Sequence, residues 1–158
     1  MATMVLSALN KGKIFDPIRK KWVIASKEEK VRQALILRMI QDLSYPKGLL
    51  CVEKALSEIP PYSPDVPDRR VDLLVFAKSL KQQLIPLLMV ECKEDRSMQE
   101  IAKKQIMGYN HFIQAPFIAI ASPEGIECGF WNASQQSYQF FSYLPSYTTL
   151  IQVVQHAK

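Results

Sequence analysis

The sequence predicts an α/β domain in which a mixed central β-sheet is flanked by helices. Helix-type and strand-type patterns follow one another in the order helix, strands, helix, strands, helix. Two runs, 70–76 and 87–92, are apolar at odd and even positions, as in strands buried on both faces. With 158 residues, of which 48% are hydrophobic and 22% charged, the chain resembles one globular domain. We expect a single domain over 1–158, with a core at about 14–142 and a C-terminal helix over 147–156.

Helix-capping residues and turn residues divide the first half of the chain into its predicted elements. Ser26, with Glu29 three positions later, is typical of a capping box at a helix start. Val31, Leu35 and Met39 then form an apolar line along one helix face. Turn residues and prolines separate the elements that follow. The predicted elements are a loop with one edge strand within the first 25 residues, a helix over 27–43, a strand over 49–56, a proline-rich loop over 59–67 and a strand over 70–76.

The second half begins with a polar connection and a buried strand. A helix is predicted next, with Ile101, Gln105, Gly108 and Phe112 on one apolar stripe. Short apolar runs separated by polar turns predict further strands. The predicted elements are a strand over 87–92, a helix over 98–112, a strand over 117–121, a hairpin of 127–131 and 138–141, and a last helix over 147–156.

Charge and cysteine usage exclude several classes of protein. No run approaches the roughly 18 apolar residues that span a bilayer, and the first 13 residues lack the features of a signal peptide, so we expect a cytoplasmic protein without a membrane partner. The three cysteines are widely spaced, which argues against zinc. The net charge of +5 and pI near 9.1 favour polyanionic partners. Basic clusters offer weak candidate nucleic-acid contacts: Arg19, Lys20, Lys21, Arg69 and Arg70.

Two neighbouring predicted strands carry ionisable residues within apolar runs. Glu91 and Lys93 lie two positions apart, so both point to the same face of their strand, roughly 6–7 Å apart. Asp72 interrupts the preceding strand in the same way. Buried charges are costly unless they are paired or bind a metal, and two carboxylates with water and phosphate oxygens suit Mg²⁺. Asp72 and Glu91 are therefore candidate metal ligands, and Lys93 a candidate to orient a water and stabilise developing charge, as phosphodiester hydrolysis requires.

Ordinary ion pairing is the alternative explanation for these acids. Asp72 and Glu91 could pair with nearby cations, for which Arg70, Lys93 and Lys54 are candidates. A D…ExK triplet also arises often by chance, so the residues alone leave both interpretations open.

Two helices contribute supporting candidates. Gln105 and Tyr109, four positions apart, form a polar ridge that could reach the site, or Gln105 could be a tolerated residue at the boundary of the apolar face. Glu28 follows the apolar line of the first helix and could point toward the acids. Glu29 is explained equally well as the partner of Ser26, and both acids suit the positive end of the helix dipole.

These residues, in this order, resemble the N-terminal nuclease domain of the type I restriction enzyme R subunit. The resemblance covers about residues 14–132 and rests on an ordered set of short motifs. The matching segments are Asp16–Lys21, Glu28–Gln33, Tyr45-Pro46, Val52-Glu53, Arg69–Asp72, Val90–Lys93, Gln105–Tyr109 and Ala115–Phe117.

The resemblance implies a restriction-endonuclease-like PD-(D/E)xK core, Mg²⁺ (with Mn²⁺ as a possible substitute) and DNA cleavage. It also implies that Asp72 and Glu91 bind metal and that Lys93 and Gln105 are catalytic. Glu28 or Glu29 would be the acid of the first helix, and Tyr109 would complete a QxxxY motif. The chain departs from the family in the charged residues 94–96 and in a longer proline-rich loop. It also ends at residue 158, before any helicase motor, so we expect a free-standing version.

Three functions remain open from the sequence. The first is a Mg²⁺-dependent deoxyribonuclease, which could act as a homodimer or with an unknown targeting protein. The second is a non-catalytic nucleic-acid-binding or assembly module that retains the nuclease fold. The third, a small-ligand protein with structural ion pairs, is disfavoured because the five glycines form no phosphate-binding loop.

Overall fold

The computed structural model describes residues 9–10 and 12–156, with side chains from residue 12. Within this part of the chain, nine strands, three α-helices and three short 3-10 helices are present. The strands are β1 Leu9–Asn10, β2 Lys13–Asp16, β3 Lys21–Ile24, β4 Leu50–Ala55, β5 Arg70–Lys78, β6 Leu84–Cys92, β7 Phe117–Ser122, β8 Gly125–Asn132 and β9 Ser137–Phe141. The helices are α1 Lys27–Asp42, α2 Gln99–Ile113 and α3 Tyr147–His156, and the 3-10 helices are Lys47–Leu49, Leu56–Glu58 and Arg96–Met98.

Strands β4 to β9 form one six-stranded sheet in sequence order. All neighbours are antiparallel except β6 and β7, which are parallel and connected through α2. A parallel pair needs such a crossover because the chain must return to the other end of the sheet. The carboxyl ends of β6 and β7 consequently lie side by side. The predicted mixed sheet of an α/β protein is confirmed.

Helices cover both faces of this sheet. One buried cluster joins α1 and α3 to the sheet through Ile36, Met39 and Leu150, all fully buried. The other joins α2 to the opposite face through Ala102 and Ile106, also fully buried. The strands between them are apolar at both parities because each face meets a helix layer.

The N-terminal segment is more regular than the sequence predicts. A separate three-stranded antiparallel sheet, β1–β2–β3, replaces the expected loop with one edge strand. Gly12, with φ +74°, supplies the left-handed conformation in the turn before β2. The Asp16 side chain accepts hydrogen bonds from the N–H groups of Ile18 and Arg19 in the turn before β3. Strands of four residues or fewer carry too little periodicity to be recognised from the sequence.

The predicted apolar stripe of α2 is wrong. Ile101 is 65% exposed, and the buried face runs through Ala102, Ile106, Tyr109 and Ile113 instead. This set has the same four-three-four spacing, displaced by one position, so the spacing alone could not choose between them. Gln105 therefore lies at the border of the buried face rather than at its centre.

No described helix is long and apolar enough to cross a membrane. Residues 1–8, 11, 157 and 158 lie outside the described residues. The first eight belong to the N-terminal stretch for which no signal peptide is expected. The cytoplasmic location and the single-domain organisation stay predictions.

Candidate active site

The candidate residues converge where β6 and β7 end and β5 begins. Leu73 on β5 pairs with Val90 on β6, so Asp72 and Glu91, the next residues along the two antiparallel strands, lie across from each other. Lys93 follows β6 directly, and its backbone N–H donates to the carbonyl of Ala121 on β7 at 2.8 Å. Strand register, rather than sequence proximity, thus brings the three candidates together.

Both carboxylate oxygens of Asp72 are hydrogen-bonded. Its Oδ2 accepts from the backbone N–H of Cys92 at 2.7 Å, and its Oδ1 accepts from Nη2 of Arg32 at 2.9 Å. The first bond fixes the carboxylate against β6, and the second bridges it to helix α1. Asp72 is therefore held rigidly, with its charge balanced by a guanidinium that the sequence analysis did not single out.

Glu91 is buried without full compensation of its charge. The residue is 3% exposed, and its Oε1 has no hydrogen-bond partner in the described part of the chain. Burial raises the pKa of Glu91 to about 8, and the negative charge of Asp72 adds to this rise, while Lys93 partly opposes it. A buried acceptor next to a second carboxylate attracts a proton or a cation.

Lys93, Gln105 and Tyr109 form a chain of side chains next to Glu91. Nζ of Lys93 lies 3.8 Å from Oε2 of Glu91 and donates to Oε1 of Gln105 at 3.4 Å. Nε2 of Gln105 donates to the Tyr109 hydroxyl at 2.6 Å. The one-turn spacing on α2 aligns Gln105 and Tyr109, so the helix presents an oriented amide to the lysine. The predicted polar ridge of Gln105 and Tyr109 is confirmed.

A buried network of alternating charges extends from Asp72 to the N-terminal sheet. Arg32, 4% exposed, bonds Asp72 with one nitrogen and Oε2 of Glu29 with another, at 2.7 Å. Glu29 also accepts from Arg19, which in turn is bonded to Asp16 in the turn between β2 and β3. Buried charges of this kind are stable only when every member has a partner. The network thereby links the small sheet to the candidate site.

Glu53 borders this network in an unusual backbone conformation. It lies on β4 between two residues that pair with the neighbours of Asp72, and its φ is 53°. A non-glycine residue in this region costs about 1–3 kcal/mol and is frequent at functional sites. Its carboxylate lies 3.4 Å from Arg19 and 3.9 Å from Arg32. Glu53 is a further acid near the site.

The two acids of α1 have different surroundings. The backbone N–H of Glu29 donates to the Ser26 hydroxyl at 3.1 Å, as a helix cap requires. Its carboxylate, however, bonds Arg19 and Arg32 rather than the backbone of Ser26. The predicted reciprocal bond of the capping box is therefore wrong. Partial burial and the charge of Asp72 raise the pKa of Glu28. Glu28 therefore faces the acid site while remaining partly exposed.

The basic candidates divide into paired and unpaired residues. Arg19 is held by carboxylates, which leaves its guanidinium little freedom to bind phosphate. Lys20 and Lys21 are exposed, as are Arg69 and Arg70 at the start of β5. Arg70 donates to the backbone carbonyl of Glu53 at 2.9 Å. Nucleic-acid contact by any of these residues stays a prediction.

The ordinary ion-pair alternative is supported only in part. Among the described residues, Asp72 pairs with Arg32, and neither Arg70 nor Lys54 contacts it. Lys54 pairs with Glu58 instead. Lys93 forms an ion pair with Glu91 at 3.8 Å, as this alternative expects, although the distance is too long for a hydrogen bond.

Sequence reasoning missed Arg32 although a signal was present. Arg32 lies four positions before Ile36 and seven before Met39, and both are fully buried residues of α1. A cation on the buried face of a helix indicates a buried acid partner. The identity of that acid, forty positions away, required the fold.

Metal-binding potential rests on two carboxylates rather than on a larger cage. Within residues 12–156, no group of three or more His, Cys, Asp or Glu side chains is arranged to hold a metal ion. The cysteines are free thiols; Cys92 and Cys128 are buried, whereas Cys51 is partly buried. Two acids are compatible with Mg²⁺, which commonly retains several waters.

Comparison with protein families gives a match over most of the chain. The profile of the family described as "Type I restriction enzyme R protein N terminus" matches residues 27–145. No curated protein and no solved structure matches the chain. The matched region contains Asp72, Glu91, Lys93 and α2, whereas β1–β3 and α3 lie outside it. A nuclease-related role is therefore indicated at the level of the family. Because the match covers most of its 158 residues, the chain belongs to the family of type I restriction enzyme R protein N-terminal domains.

Proposed function

We propose that this protein is a Mg²⁺-dependent DNA endonuclease with a PD-(D/E)xK core. The observation that carries the proposal is the buried Glu91 carboxylate, which lies across from Asp72 with one oxygen unpartnered in the described chain. Lys93 and the Gln105 amide flank it. Two acids that hold a metal ion, with a protein cation beside them, can supply the groups for metal-assisted phosphodiester hydrolysis.

The donor set fits a hard divalent cation. Asp72 and Glu91 offer oxygen ligands only, and burial together with the charge of Asp72 raises the pKa of Glu91 although Lys93 lies close by. When bound, Mg²⁺ or Mn²⁺ supplies a Lewis acid that polarises the phosphodiester and lowers the pKa of a water. Glu28 is the third acid that faces this region.

Lys93 supplies the positive charge from the protein. Its ammonium donates toward the attacking water or a phosphate oxygen and stabilises the charge that develops there. Gln105 accepts from the ammonium and so positions it, while the Tyr109 hydroxyl fixes the Gln105 amide. The Cys92 N–H and Arg32 fix the orientation of the Asp72 carboxylate beside Glu91.

The decisive experiment combines metal binding and cleavage. Mg²⁺ and Mn²⁺ are titrated calorimetrically into wild type and Asp72→Ala, and the same samples are incubated with plasmid, linear and single-stranded DNA. We expect Asp72→Ala to abolish both binding and cleavage, and Lys93→Ala to abolish cleavage alone.

A lysine on the exposed side of α2 provides the control. Lys104→Ala removes the same charge next to Gln105 in the sequence but from an exposed position, so cleavage should persist. Wild type that binds no metal and cuts no DNA would refute the proposal. Loss of cleavage in Lys104→Ala equal to that in Lys93→Ala would remove the role assigned to Lys93.

A second candidate is a non-catalytic nucleic-acid-binding or assembly module. The bond between Arg32 and Asp72 favours it, because this pair neutralises Asp72 without a metal. Such a module could act as a homodimer or with a targeting protein. It would shift DNA in a gel with strongly salt-dependent affinity, and Asp72→Ala would leave that shift unchanged.

A further inference from the structure

The outer face of the β2–β3 hairpin carries two exposed aromatic rings. Phe15 and Trp22 are paired across the strands, and their rings meet edge to face with centroids 5.6 Å apart. Phe15 is 40% exposed and Trp22 is 44% exposed. Because strand residues alternate between faces, the buried Ile14 and Asp16 lie on the other side of the hairpin. Large aromatic rings are thus left on the solvent side of a two-faced hairpin.

Exposed lysines lie near these rings. Lys13 lies on the same strand face as Phe15, two positions away, and Lys20 lies in the turn before β3. Lys21 pairs with Asp16 across the strands, so it lies on the opposite face from Trp22. All three are exposed, and none forms an ion pair within the described residues. Asp16, the acid of the hairpin, is buried and already bonded to Arg19. The solvent face therefore carries the two aromatic rings, Lys13 and the exposed Ile24, with Lys20 in the adjoining turn.

We propose that this face, the Phe15–Trp22 platform, binds single-stranded nucleic acid by base stacking. Aromatic rings accept the face of any base, and lysines beside them follow the phosphates. A duplex keeps its base faces within the stack, so rings on a surface can reach them only in an unpaired stretch. Lys13 and Lys20 favour a polyanion over an apolar protein partner, because burying their unpaired ammonium groups in an apolar interface is costly.

The platform is connected to the candidate active site. Arg19, in the turn of the same hairpin, bonds Glu29, which bonds Arg32, which bonds Asp72. A nucleic-acid strand bound to the hairpin is thereby attached to a part of the protein that these side-chain bonds join to the acid site. The inference rests on the proposed function because it takes nucleic acid to be the ligand. It adds that the bound nucleic acid is single-stranded.

A second exposed aromatic pair gives a matched control. Trp131 is 50% exposed and meets Tyr138 edge to face at 5.4 Å, so its geometry resembles that of Trp22. It lines a groove between α2, β8 and α3 whose lining contains His111 but no lysine or arginine. The chain has two tryptophans, so replacing either one isolates the fluorescence of the other.

The test is titration of tryptophan fluorescence with oligothymidine of about 16 nucleotides in EDTA, which suppresses cleavage. In Trp131→Phe the remaining Trp22 emission should be quenched, whereas in Trp22→Phe the Trp131 emission should stay constant. By fluorescence anisotropy, Trp22→Ala should weaken binding about 5- to 150-fold, and Trp131→Ala less than about twofold.

Three results would overturn the proposal. They are unchanged Trp22 emission at saturating oligothymidine, equal weakening by the two alanine variants, and quenching of Trp22 by heparin as strong as by DNA, which would show charge attraction without stacking. Because no metal is present, this test is separate from cleavage. Cleavage of DNA without quenching of Trp22 emission would refute only the platform proposal. Quenching of Trp22 emission without cleavage of DNA would refute only the nuclease proposal.

Discussion

Replacing Glu91 with glutamine should stabilise the metal-free protein at alkaline pH. The pKa of Glu91 is raised to about 8 from an ordinary value of 4.5, first by burial and then by the charge of Asp72. Between these two values the folded protein keeps a proton that the unfolded chain has released. The free energy of unfolding is therefore highest below the lower pKa and falls as pH rises toward the upper one.

The size of the effect follows from the pKa. Each pH unit between the two values lowers the free energy of unfolding by at most about 1.4 kcal/mol. From about pH 6 to about pH 8, wild type should lose on the order of 2 kcal/mol through this group. For a domain of this length that is a fall of about 4–8 °C in Tm. Glutamine has nearly the same shape and no charge, so Glu91→Gln should lose this pH dependence.

The assay is urea unfolding of wild type and Glu91→Gln in EDTA at both pH values. Glu124→Gln is the control, because Glu124 is exposed and its replacement should leave the pH dependence intact. Adding Mg²⁺ should raise the stability of wild type at about pH 8, as a ligand that binds only the folded state must, and should have no such effect on Glu91→Gln. A Glu91→Gln variant less stable than wild type at both pH values would refute the reasoning and show that Glu91 is ionised and paired with Lys93.

Three further predictions concern stability. Arg32→Met should lower the free energy of unfolding by about 3–5 kcal/mol because it leaves buried carboxylates without their partner, and a loss below about 1 kcal/mol in urea unfolding would contradict the network. Ile106→Ala removes a fully buried side chain between α2 and the sheet and should cost about 2–5 kcal/mol, measured in the same way. Tyr45→Phe removes the 2.8 Å bond from the buried Tyr45 hydroxyl to the carbonyl of Pro145 and should cost about 1–3 kcal/mol. An unchanged Tm for Tyr45→Phe would mean that water replaces the lost donor.

Local patterns determined much of the fold. Ser26 caps α1 as predicted, and the buried strands β5 and β6 contain the predicted apolar runs 70–76 and 87–92. Period-two spacing predicted that Glu91 and Lys93 share a face, and their side chains approach to 3.8 Å. These features depend on residues within one or two turns or pleats, where spacing fixes geometry.

The same local reasoning failed where two alternatives have equal periodicity. The stripes beginning at Ile101 and at Ala102 have identical spacing, and only packing against the sheet selects the second. Only one edge strand was predicted where β1, β2 and β3 form a sheet, because each is at most four residues long and is stabilised by its partners rather than by its own pattern.

By itself, the sequence determined the order of the elements, the family resemblance and the acid–lysine motif at the end of β6. Only the tertiary structure decided the partners of these residues. Strand register placed Asp72 across from Glu91, and helix packing brought Arg32 to Asp72 over forty positions of sequence. Such contacts depend on how whole elements pack, because the energy of a buried charge is set by all its neighbours in space rather than by its neighbours along the chain.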